Sequence, residues 1–480
     1  MNFAVVRYII GFLLQFESAF LLLPALVGVI YREKTAVMVY LVTALLCFAV
    51  GYALRFKRPK QRELYIREGF ATVALGWLVL SLFGAIPFVM TGDIPHYIDA
   101  LFETISGFTT TGATILSDVE ALSRAGLFWR SFTHWIGGMG VFVFMMSILP
   151  LMGGSTMNLM RAESTGPSVG KLLPRAKDTA KILYKLYIGF TIAGIIILCL
   201  CGLPLFDSLT ITFGSVGTGG FGIRNDSAAS YSPLIQYAIA MLMILSGVNY
   251  AFYFCLMRKQ LKAAFSIEEV KWYFGIILAG TGVIIWNIHS LYPTVEESVR
   301  HAFFQVGSLI TSTGFATTDY DVWPQLSKTI LILIMFIGAC SGSTGGGIKI
   351  SRMLILMKGI KKELQMMIHP RMVKKIRMDG HVIPHETIRS TNSFIAVYFI
   401  IFLLSVLFIG IDELDFTTNF TGVLATLNNM GPGMELVGPT CNFSVFSSFS
   451  KCILMFDMLA GRLELFPVLI IMVPSCWKKY

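Results

Sequence analysis

Long apolar stretches recur along the chain at intervals that predict membrane-spanning helices. A spanning helix needs about 20 predominantly apolar residues, and ten runs approach or exceed that length. They lie near residues 3–30, 36–54, 70–90, 127–152, 181–203, 233–257, 271–290, 328–357, 394–411 and 445–474. The eighth run is interrupted by glycines. The pattern predicts an all-α integral membrane protein with ten spans.

Four shorter apolar runs stand between the long ones, and each ends in a turn rich in Thr, Ser, Gly or Asn. They read FETISGFTTTGAT (102–114), LTITFGSVGTGGF (209–221), FFQVGSLITSTGFA (303–316) and FTGVLATLNNMGPG (420–433). Runs of roughly a dozen residues are too short to span a bilayer and suit re-entrant helices. We align them as four copies of one unit on Gly112, Gly219, Gly314 and Gly431.

This repeat divides the chain into five parts. Residues 1–68 form a two-helix N-terminal extension, and repeats 1 to 3 occupy residues 69–160, 161–258 and 259–360. Residues 361–480 hold a basic segment and repeat 4. Repetition of one supersecondary unit implies a common role around one axis.

The polar segments between the apolar runs alternate in charge. Basic segments lie at residues 55–68, 161–185, 258–271 and 358–389, and acidic residues gather in the segments between them. Because Lys and Arg collect in cytoplasmic loops, we expect the basic segments inside the cell. Both termini then lie in the cytoplasm, and an even number of spans, such as ten, does place both termini on the same side.

Composition excludes several other classes of protein. The chain is 55% hydrophobic and only 14% charged, against about 25% charged residues in soluble domains. The net charge of +10 fits loop orientation, and we expect no nucleic-acid partner because no basic domain stands apart from the apolar runs. The eight cysteines contain no C-x-x-C, and the seven histidines no H-E-x-x-H, so we expect no metal framework of that kind.

Two glycine-rich stretches imitate nucleotide-binding loops. Gly217, Gly219 and Gly222 satisfy G-x-G-x-x-G, but that fingerprint needs a preceding strand in a soluble βαβ unit. Here an apolar helical run precedes it. The stretch GSTGGGIK, which ends at Lys349, fails as a Walker loop because an isoleucine separates the lysine from the last glycine. Neither stretch predicts a nucleotide site in this chain.

The four glycine turns are candidates for an ion-binding site. Irregular backbone at membrane depth is tolerated only inside protein or along a water-filled path, and converging carbonyls can replace the water around a cation. Acidic residues near the starts of the short helices complement the helix dipole. Those after the turns either make the outer mouth electronegative or are solvated loop charges. The first group is Asp99, Asp207, Glu297 and Asp415, and the second is Asp118, Asp226, Asp319 and Glu435.

At these turns the chain resembles the Trk/Ktr/HKT superfamily of potassium uptake proteins. TTTGAT, VGTGGF, TSTGFA and NNMGPG resemble its four pore loops, and the extra N-terminal helices make the chain more similar to the Trk-type pore subunit. The resemblance implies four pore repeats around one ion pathway, each of the M1–P–M2 type: a spanning helix, a short pore helix and a second spanning helix. It also implies K⁺ as the transported and filter-bound ion, and no covalent cofactor. Carried over by position, the filter residues are Thr110, Thr111, Gly112, Gly217, Thr218, Gly219, Ser312, Thr313, Gly314, Asn429, Met430 and Gly431.

Two places in the sequence bear on the ion selectivity and the symmetry of this filter. The superfamily associates a serine at the first filter glycine with sodium permeation, so Gly112 favours potassium. In repeat 4, Asn429 and Met430 replace the Thr/Ser pair. The resemblance therefore implies a filter that departs from four-fold symmetry.

Residues 338–349, GACSGSTGGGIK, interrupt the second helix of repeat 3 with five glycines. Such a run cannot hold a stable helix. The resemblance implies an intramembrane gate beneath the filter, and the alternative is a loosely packed kink. The candidate gate residues of this run are Gly342, Ser343, Gly345, Gly346 and Gly347.

Arg462 is the other candidate gate residue. The last apolar run places it near mid-membrane, where an arginine is expensive and faces a cavity or a partner. The resemblance makes it a positive barrier below the filter. An internal ion pair with Asp457 or Glu464 is the alternative, and both can hold at once.

The resemblance further implies a homodimer in the bacterial cytoplasmic (inner) membrane with a cytoplasmic TrkA-like regulatory subunit that binds NAD or ATP. Basic residues 161–185 and 358–389 either dock that subunit or bind anionic membrane lipid. We therefore expect gated potassium uptake and no enzymatic activity. The alternatives are a proton- or sodium-coupled symporter of the same fold, or a membrane-embedded enzyme, for which only the single-helix group Asp457, Arg462 and Glu464 offers ionisable residues.

Overall fold

The computed structural model describes residues 1–59, 65–140 and 176–478. Helices make up nearly all of the regular structure in these ranges. The strands described are β1 (Arg377–Met378) and β2 (His381–Val382), which pair antiparallel in a short hairpin. The all-α prediction is confirmed for the described residues.

The N-terminal extension is a pair of closely packed helices, α1 (Phe3–Ile30) and α2 (Lys34–Arg55). Gly11 and Gly51 bring the two backbones together, because a Cβ on either glycine would lie 2.6–2.7 Å from the other's carbonyl oxygen. The Ser18 hydroxyl also donates to the carbonyl of Ala44 over 2.7 Å. Small residues at such crossings are typical of membrane helix pairs.

The remaining helices follow the predicted fourfold pattern, but the bounds of the repeats stay a prediction, since one helix begins at Ile66, before the expected boundary at 69, and another, Ile350–Ile368, crosses the expected boundary at 360. Repeat 1 contains α3 (Ile66–Gly84), α4 (Ile86–Thr91), α5 (Tyr97–Phe108) and α6 (Arg124–Gly138). Repeat 2 contains α7 (Ala176–Leu200), α8 (Leu205–Val216), α9 (Pro233–Ser246) and α10 (Tyr250–Met257). Repeat 3 contains α11 (Leu261–Ser266), α12 (Glu268–Ile288), α13 (Val295–Ile310), α14 (Gln325–Ile337) and α15 (Ile350–Ile368). Repeat 4 contains α16 (His385–Ile409), α17 (Phe416–Leu427), α18 (Ser448–Arg462) and α19 (Phe466–Met472).

Short 3₁₀ turns complete the connections between the helices. They are Tyr320–Val322, Gly410–Asp412, Glu435–Val437, Phe443–Val445 and Pro474–Cys476.

The short helices predicted from the sequence are α5, α8, α13 and α17, here called the pore helices. They hold 12 to 16 residues, which is too few to cross a bilayer. The predicted carboxylates lie at their starts. Asp99, Asp207 and Glu297 are in first turns, and the Asp415 side chain accepts the N–H of Thr418 over 2.8 Å. Negative charge at these ends complements the helix dipole.

The second long helix ends after 15 residues in repeat 1, and in repeats 2 to 4 it is interrupted after 13 to 15 residues. In repeat 1, α6 ends at Gly138, and the later part of the predicted span 127–152 lies outside the described residues. In repeat 2, α9 and α10 meet at an angle of 89°. In repeat 4, positive φ at Glu464 and Leu465 separates α18 from α19. The expectation of continuous helices over 233–257 and 445–474 was therefore wrong.

Six described segments are long and apolar enough to cross a membrane, and a seventh qualifies if the bent pair in repeat 2 counts as one span. The six are Phe3–Ile30, Lys34–Arg55, Arg67–Thr91, Lys181–Leu200, Glu268–Ile288 and His385–Asp412. They belong to the N-terminal pair and to the first helices of the repeats. The count of ten spans stays a prediction.

Aromatic packing fixes the end of the first pore helix. The ring of Phe108, the last residue of α5, meets Trp77 and Trp129 edge to face, at centroid distances of 6.4 and 6.1 Å. The Trp129 indole donates to the carbonyl of Gly84 over 3.0 Å. All three rings are buried, so the residues after Phe108 start from a rigid position.

Candidate ion pathway and gate

The four pore helices end in one shared backbone conformation. A non-glycine residue with φ of 52–54° follows each helix, and two residues later comes a glycine with φ of 81–93°. The residues of the first kind are Thr110, Thr218, Ser312 and Asn429, and those of the second kind are Gly112, Gly220, Gly314 and Gly431. The residue between them donates its N–H to a carbonyl five positions earlier over 2.8–2.9 Å. This is the Schellman arrangement, which satisfies carbonyls that the helix end leaves unpaired.

The conformation corrects the alignment of repeat 2 by one residue. Gly220, not Gly219, matches Gly112 in φ, and Gly219 matches Thr111 in its hydrogen bond. Gly217 has a φ of −73° and caps α8, so it lies before the turn. Two consecutive glycines conceal the register in the sequence. The predicted ion-binding role of all four turns stays a prediction.

The four turns form a closed ring. A Cβ added to Gly112 would overlap the carbonyl oxygen of Gly219 in the next repeat. In the same way, a Cβ on Gly220 would overlap the carbonyl oxygen of Thr313, and a Cβ on Gly314 would overlap that of Met430. The ring closes where a Cβ on Gly431 would lie 2.9 Å from the carbonyl oxygen of Thr111. Each glycine is therefore required by a close approach as well as by its φ.

The four ring glycines also line one cavity of about 110 Å³. Residues of the outer loops, among them Asn225 and Asn442, complete its walls. The turns thus face a shared centre that opens toward the loops. This is the geometry that a carbonyl-lined ion site needs.

A buried ion pair supports the ring from behind. Arg130 on α6 donates through Nε to Glu103 on α5 over 2.5 Å, and both side chains are at most 3% exposed. Glu103 also accepts the N–H of Ile115 over 3.1 Å. Arg130 donates to the carbonyl of Gly222 over 2.7 Å and stacks on the ring of Phe221. The Glu103–Arg130 ion pair therefore joins segments of repeats 1 and 2 to each other.

His134 on α6 makes a second link between these repeats. Its Nε2 accepts the N–H of Phe221 over 3.2 Å, which assigns the proton to Nδ1. Nδ1 then donates to the carbonyl of Gly107 over 2.8 Å. The side chain is fully buried.

The candidate gate, residues 338–349, lies against the ends of the third and fourth pore helices. A Cβ on Gly345 would be 2.8 Å from the carbonyl oxygen of Thr311, and one on Gly346 would overlap that of Asn428. The Gly346 N–H also donates to the Ser312 hydroxyl. The loop is therefore packed directly against two of the four turns, which does not fit a loosely packed kink.

The other end of the loop bends back on itself. Lys349 has a φ of 82° and donates from Nζ to the carbonyl of Gly345. Gly342, with φ of 68°, accepts the N–H of Tyr250 through its carbonyl over 3.2 Å. The Ser343 hydroxyl donates to the backbone carbonyl of Cys340 over 2.6 Å.

Arg462 connects this loop to repeat 1. Its Nη1 donates to the carbonyl of Thr344 over 2.9 Å, and its Nη2 donates to Gly138 over 3.1 Å and to Gly137. The residues weighed as its ion-pair partners have further contacts. Asp457 accepts from the Ser405 hydroxyl over 2.7 Å, and Glu464 pairs with Arg352.

Carboxylates beyond the turns join the outer loops of neighbouring repeats. Asp118 accepts a hydrogen bond from the Asn225 amide over 2.9 Å, and this bond lowers the pKa of Asp118. Asp321 accepts the N–H of Glu435 over 3.0 Å. Burial, with the nearby charge of Asp319, raises the pKa of Asp321 to about 6. These acids therefore organise loops in addition to carrying charge.

Glu103 and Arg130 were missed by the sequence reasoning. The available signal was a glutamate within the re-entrant run of repeat 1 and an arginine within the apolar run after it. Charged residues at such depth are expensive and usually paired. Their pairing with each other could not be read from spacing, because 27 positions separate them.

Comparison with known proteins decides the family. The TrkH family model, described as a cation transport protein, matches residues 36–479. The Trk system potassium uptake protein TrkH of Escherichia coli is 36% identical over the full length of both chains. The chain belongs to the TrkH family.

Two further comparisons agree with this membership. The Escherichia coli Trk system potassium uptake protein TrkG is 34% identical over 99% of this chain and 98% of that protein. The crystal structure of the potassium transporter TrkH from Vibrio parahaemolyticus matches with a TM-score of 0.89, at 32% identity and with full coverage of both chains. This TrkH-family chain is a multi-pass membrane transport protein, not an enzyme.

Proposed function

We propose that this TrkH-family chain is the potassium-conducting subunit of a Trk-type uptake system in a bacterial cytoplasmic membrane. The observation that carries the proposal is the closed ring of glycine turns around one cavity. A dehydrated potassium ion would exchange its water for peptide oxygens of the four turns. The names of the relatives support potassium as the ion.

The filter in this proposal consists of four three-residue segments: Thr110–Gly112, Thr218–Gly220, Ser312–Gly314 and Asn429–Gly431. The C-terminal ends of the pore helices lie beside them and carry partial negative charge, which favours cations. The membrane potential supplies roughly 2.3 kcal/mol per charge per 100 mV for inward movement.

Selectivity would depend on how closely the turns approach one another. A side chain at Gly112 would push away the Gly219 carbonyl, because its Cβ and that oxygen would overlap. A filter widened in this way holds potassium less well relative to sodium. This gives a physical reason for the expected sodium permeation of a serine at position 112.

Gating would use the loop at 338–349 together with Arg462. The loop lies under the turns of repeats 3 and 4, and Arg462 joins it to the end of α6. Movement of the loop would break the hydrogen bond from Arg462 to the carbonyl of Thr344 and open the path. A positive side chain at this place also opposes cation passage while the loop is closed.

Regulation would come from the cytoplasmic side in a homodimer that binds a TrkA-like subunit carrying NAD or ATP. Both termini lie in the cytoplasm in this proposal. Of the basic docking segments, residues 358–389 include the end of α15 and the β1–β2 hairpin, and residues 161–175 lie outside the described ranges.

Rubidium flux into liposomes that contain the purified chain tests the proposal. We expect flux driven by the membrane potential, blocked by excess potassium and independent of a proton gradient. Gly112→Ser should admit sodium. A flux that requires a proton or sodium gradient would favour the symporter, and unchanged selectivity after substitution of all four ring glycines would overturn the filter.

A further inference from the structure

Two consecutive glutamates begin α12; Glu269 contacts the candidate gate, and Glu268 contacts α15 and the β1–β2 hairpin. Glu269 is 2% exposed and lies within the protein, whereas Glu268 is half-buried and contacts α15 and the segment that follows it. The filter and the gate as described above use neither residue.

Glu269 binds the chain at two points, Ser341 inside the candidate gate and Ser351 just after it. Its Oε1 accepts the N–H of Ser341 over 2.6 Å and the N–H of Ser351 over 3.1 Å. The hydroxyls of these two serines also hydrogen-bond to each other. One carboxyl group therefore closes the loop at its neck, where the chain enters it from α14 and leaves it for α15.

The same carboxyl group reaches the break in the second helix of repeat 2. Its Oε2 accepts from the Asn249 amide over 3.2 Å, and Asn249 caps α10. Beside this contact, the Cys340 N–H donates to the carbonyl of Gly247 over 3.2 Å. The break in repeat 2 and the loop in repeat 3 are thus bound to one side chain.

Glu268 binds the cytoplasmic hairpin instead. Its N–H donates to the Asp379 carboxylate, in the β1–β2 turn, over 2.7 Å. Its own carboxylate pairs with Lys358, and Lys358 donates to the carbonyl of Arg377 in β1 over 2.8 Å. The hairpin is therefore attached to the residue that precedes Glu269.

We propose that Glu268 and Glu269 couple the cytoplasmic hairpin to the intramembrane loop, with Glu269 as the positioning residue that keeps the loop closed. Because the two residues share one helical turn, the contacts of Glu268 with Asp379 and Lys358 help to hold Glu269 in place, and pulling on these contacts or losing them displaces Glu269. That displacement weakens the bonds at Ser341 and Ser351 and frees the loop. This inference rests on the proposed gate and adds its link to the cytoplasmic side.

The substitution Glu269→Ala tests whether Glu269 keeps the loop closed, and the measurement is basal rubidium flux in liposomes. We expect flux to rise by about tenfold, because the loop loses hydrogen bonds that closed it. Glu269→Gln keeps an oxygen for Ser341 and Ser351 and should return flux toward the wild-type value. A purely structural role would lower flux and the yield of folded protein, and that result would overturn the proposal.

Lys358→Met tests the coupling, with Lys361→Met as the matched control on the same helix. Hydrogen exchange is followed in peptides covering residues 338–349. We expect faster exchange in this loop and higher flux for Lys358→Met, and no change for Lys361, whose side chain is exposed. Unchanged loop exchange in Lys358→Met refutes the coupling.

Failure of the coupling and failure of the proposed function give different experimental results. If wild-type flux is potassium-selective but none of these variants alters it, the coupling is wrong and the proposed function stands. If the wild-type chain conducts without selectivity or does not conduct, the proposed function itself fails. Potassium-to-sodium selectivity should stay constant across all these variants, because they leave the ring of turns intact.

Discussion

Glu103 and Arg130 form an ion pair with 2.5 Å between Oε1 and Nε, buried behind the turns of the first two repeats. Neither residue lies in the ring of glycines. Through Ile115 and Gly222 the pair holds the outer arms of both turns. The spacing of the carbonyls in repeats 1 and 2 therefore depends on charges that an ion does not touch.

Arg130→Met should destabilise the protein and loosen the filter. Removing one partner of a buried pair costs about 3–5 kcal/mol, because the remaining charge stays buried. We expect a lower unfolding temperature in detergent and stronger sodium competition in rubidium flux. Arg224→Met is the control, since Arg224 lies 4.0 Å from Asp207 with 38% of its side chain exposed. Loss of such a pair costs about 0–1 kcal/mol, and equal effects of the two changes would contradict this account.

The corrected register of repeat 2 predicts different results for two nearby glycines. Gly220→Ala places a methyl group on the Thr313 carbonyl at a φ of 81° and should abolish selective flux. At Gly222 the nearest atom to an added Cβ is the Cα of Ser227, at 3.3 Å, so Gly222→Ala should be far milder. Competition between rubidium and sodium measures both. A tolerated Gly220→Ala would restore the alignment on Gly219.

Arg462→Gln should raise basal flux without changing selectivity. The substitution removes a positive charge and breaks at least one of the bonds that join Thr344 to Gly137 and Gly138. The ring of turns is left in place, so the order of preference among cations should persist. Single-channel recording in bilayers gives open probability and selectivity together. An unchanged open probability would show that Arg462 does not restrain the loop.

The raised pKa of Asp321 predicts that the stability of the folded protein depends on pH. Its pKa is about 6 in the folded protein, above the ordinary value of 3.8, so between these pH values the folded state binds more protons than the unfolded state. Stability should therefore rise as pH falls from 6 toward 4. Asp321→Asn should flatten this part of the profile, whereas Asp226→Asn, at an exposed position, should not. Unfolding temperatures measured across pH 4–7 provide the check.

The architecture could be predicted from the sequence because hydrophobic length and repetition act locally. Each pore helix ends where a threonine, serine or asparagine and a glycine supply the two left-handed residues that the turn needs. Repeat 2 misled the alignment because Gly219 and Gly220 are both glycine, and only the backbone angles distinguish them.

The breaks in the second helices were harder to foresee. Glycines mark the interruption in repeat 3. In repeat 4 the break falls at Glu464 and Leu465, just before Pro467, and the prediction of a continuous helix over 445–474 did not use that proline as a signal. Contacts such as those of Glu269 and Arg462 join residues far apart in the sequence. They arise from the way the repeats pack together, which local patterns do not encode.

The contact of Gly431 with the carbonyl of Thr111 joins positions 320 residues apart (431 − 111). During synthesis, the first turn emerges from the ribosome long before its last neighbour exists. A polypeptide halted after repeat 3 holds an open arc instead of a ring. Selective passage of the proposed kind therefore needs the fourth repeat, because only its turn closes the ring.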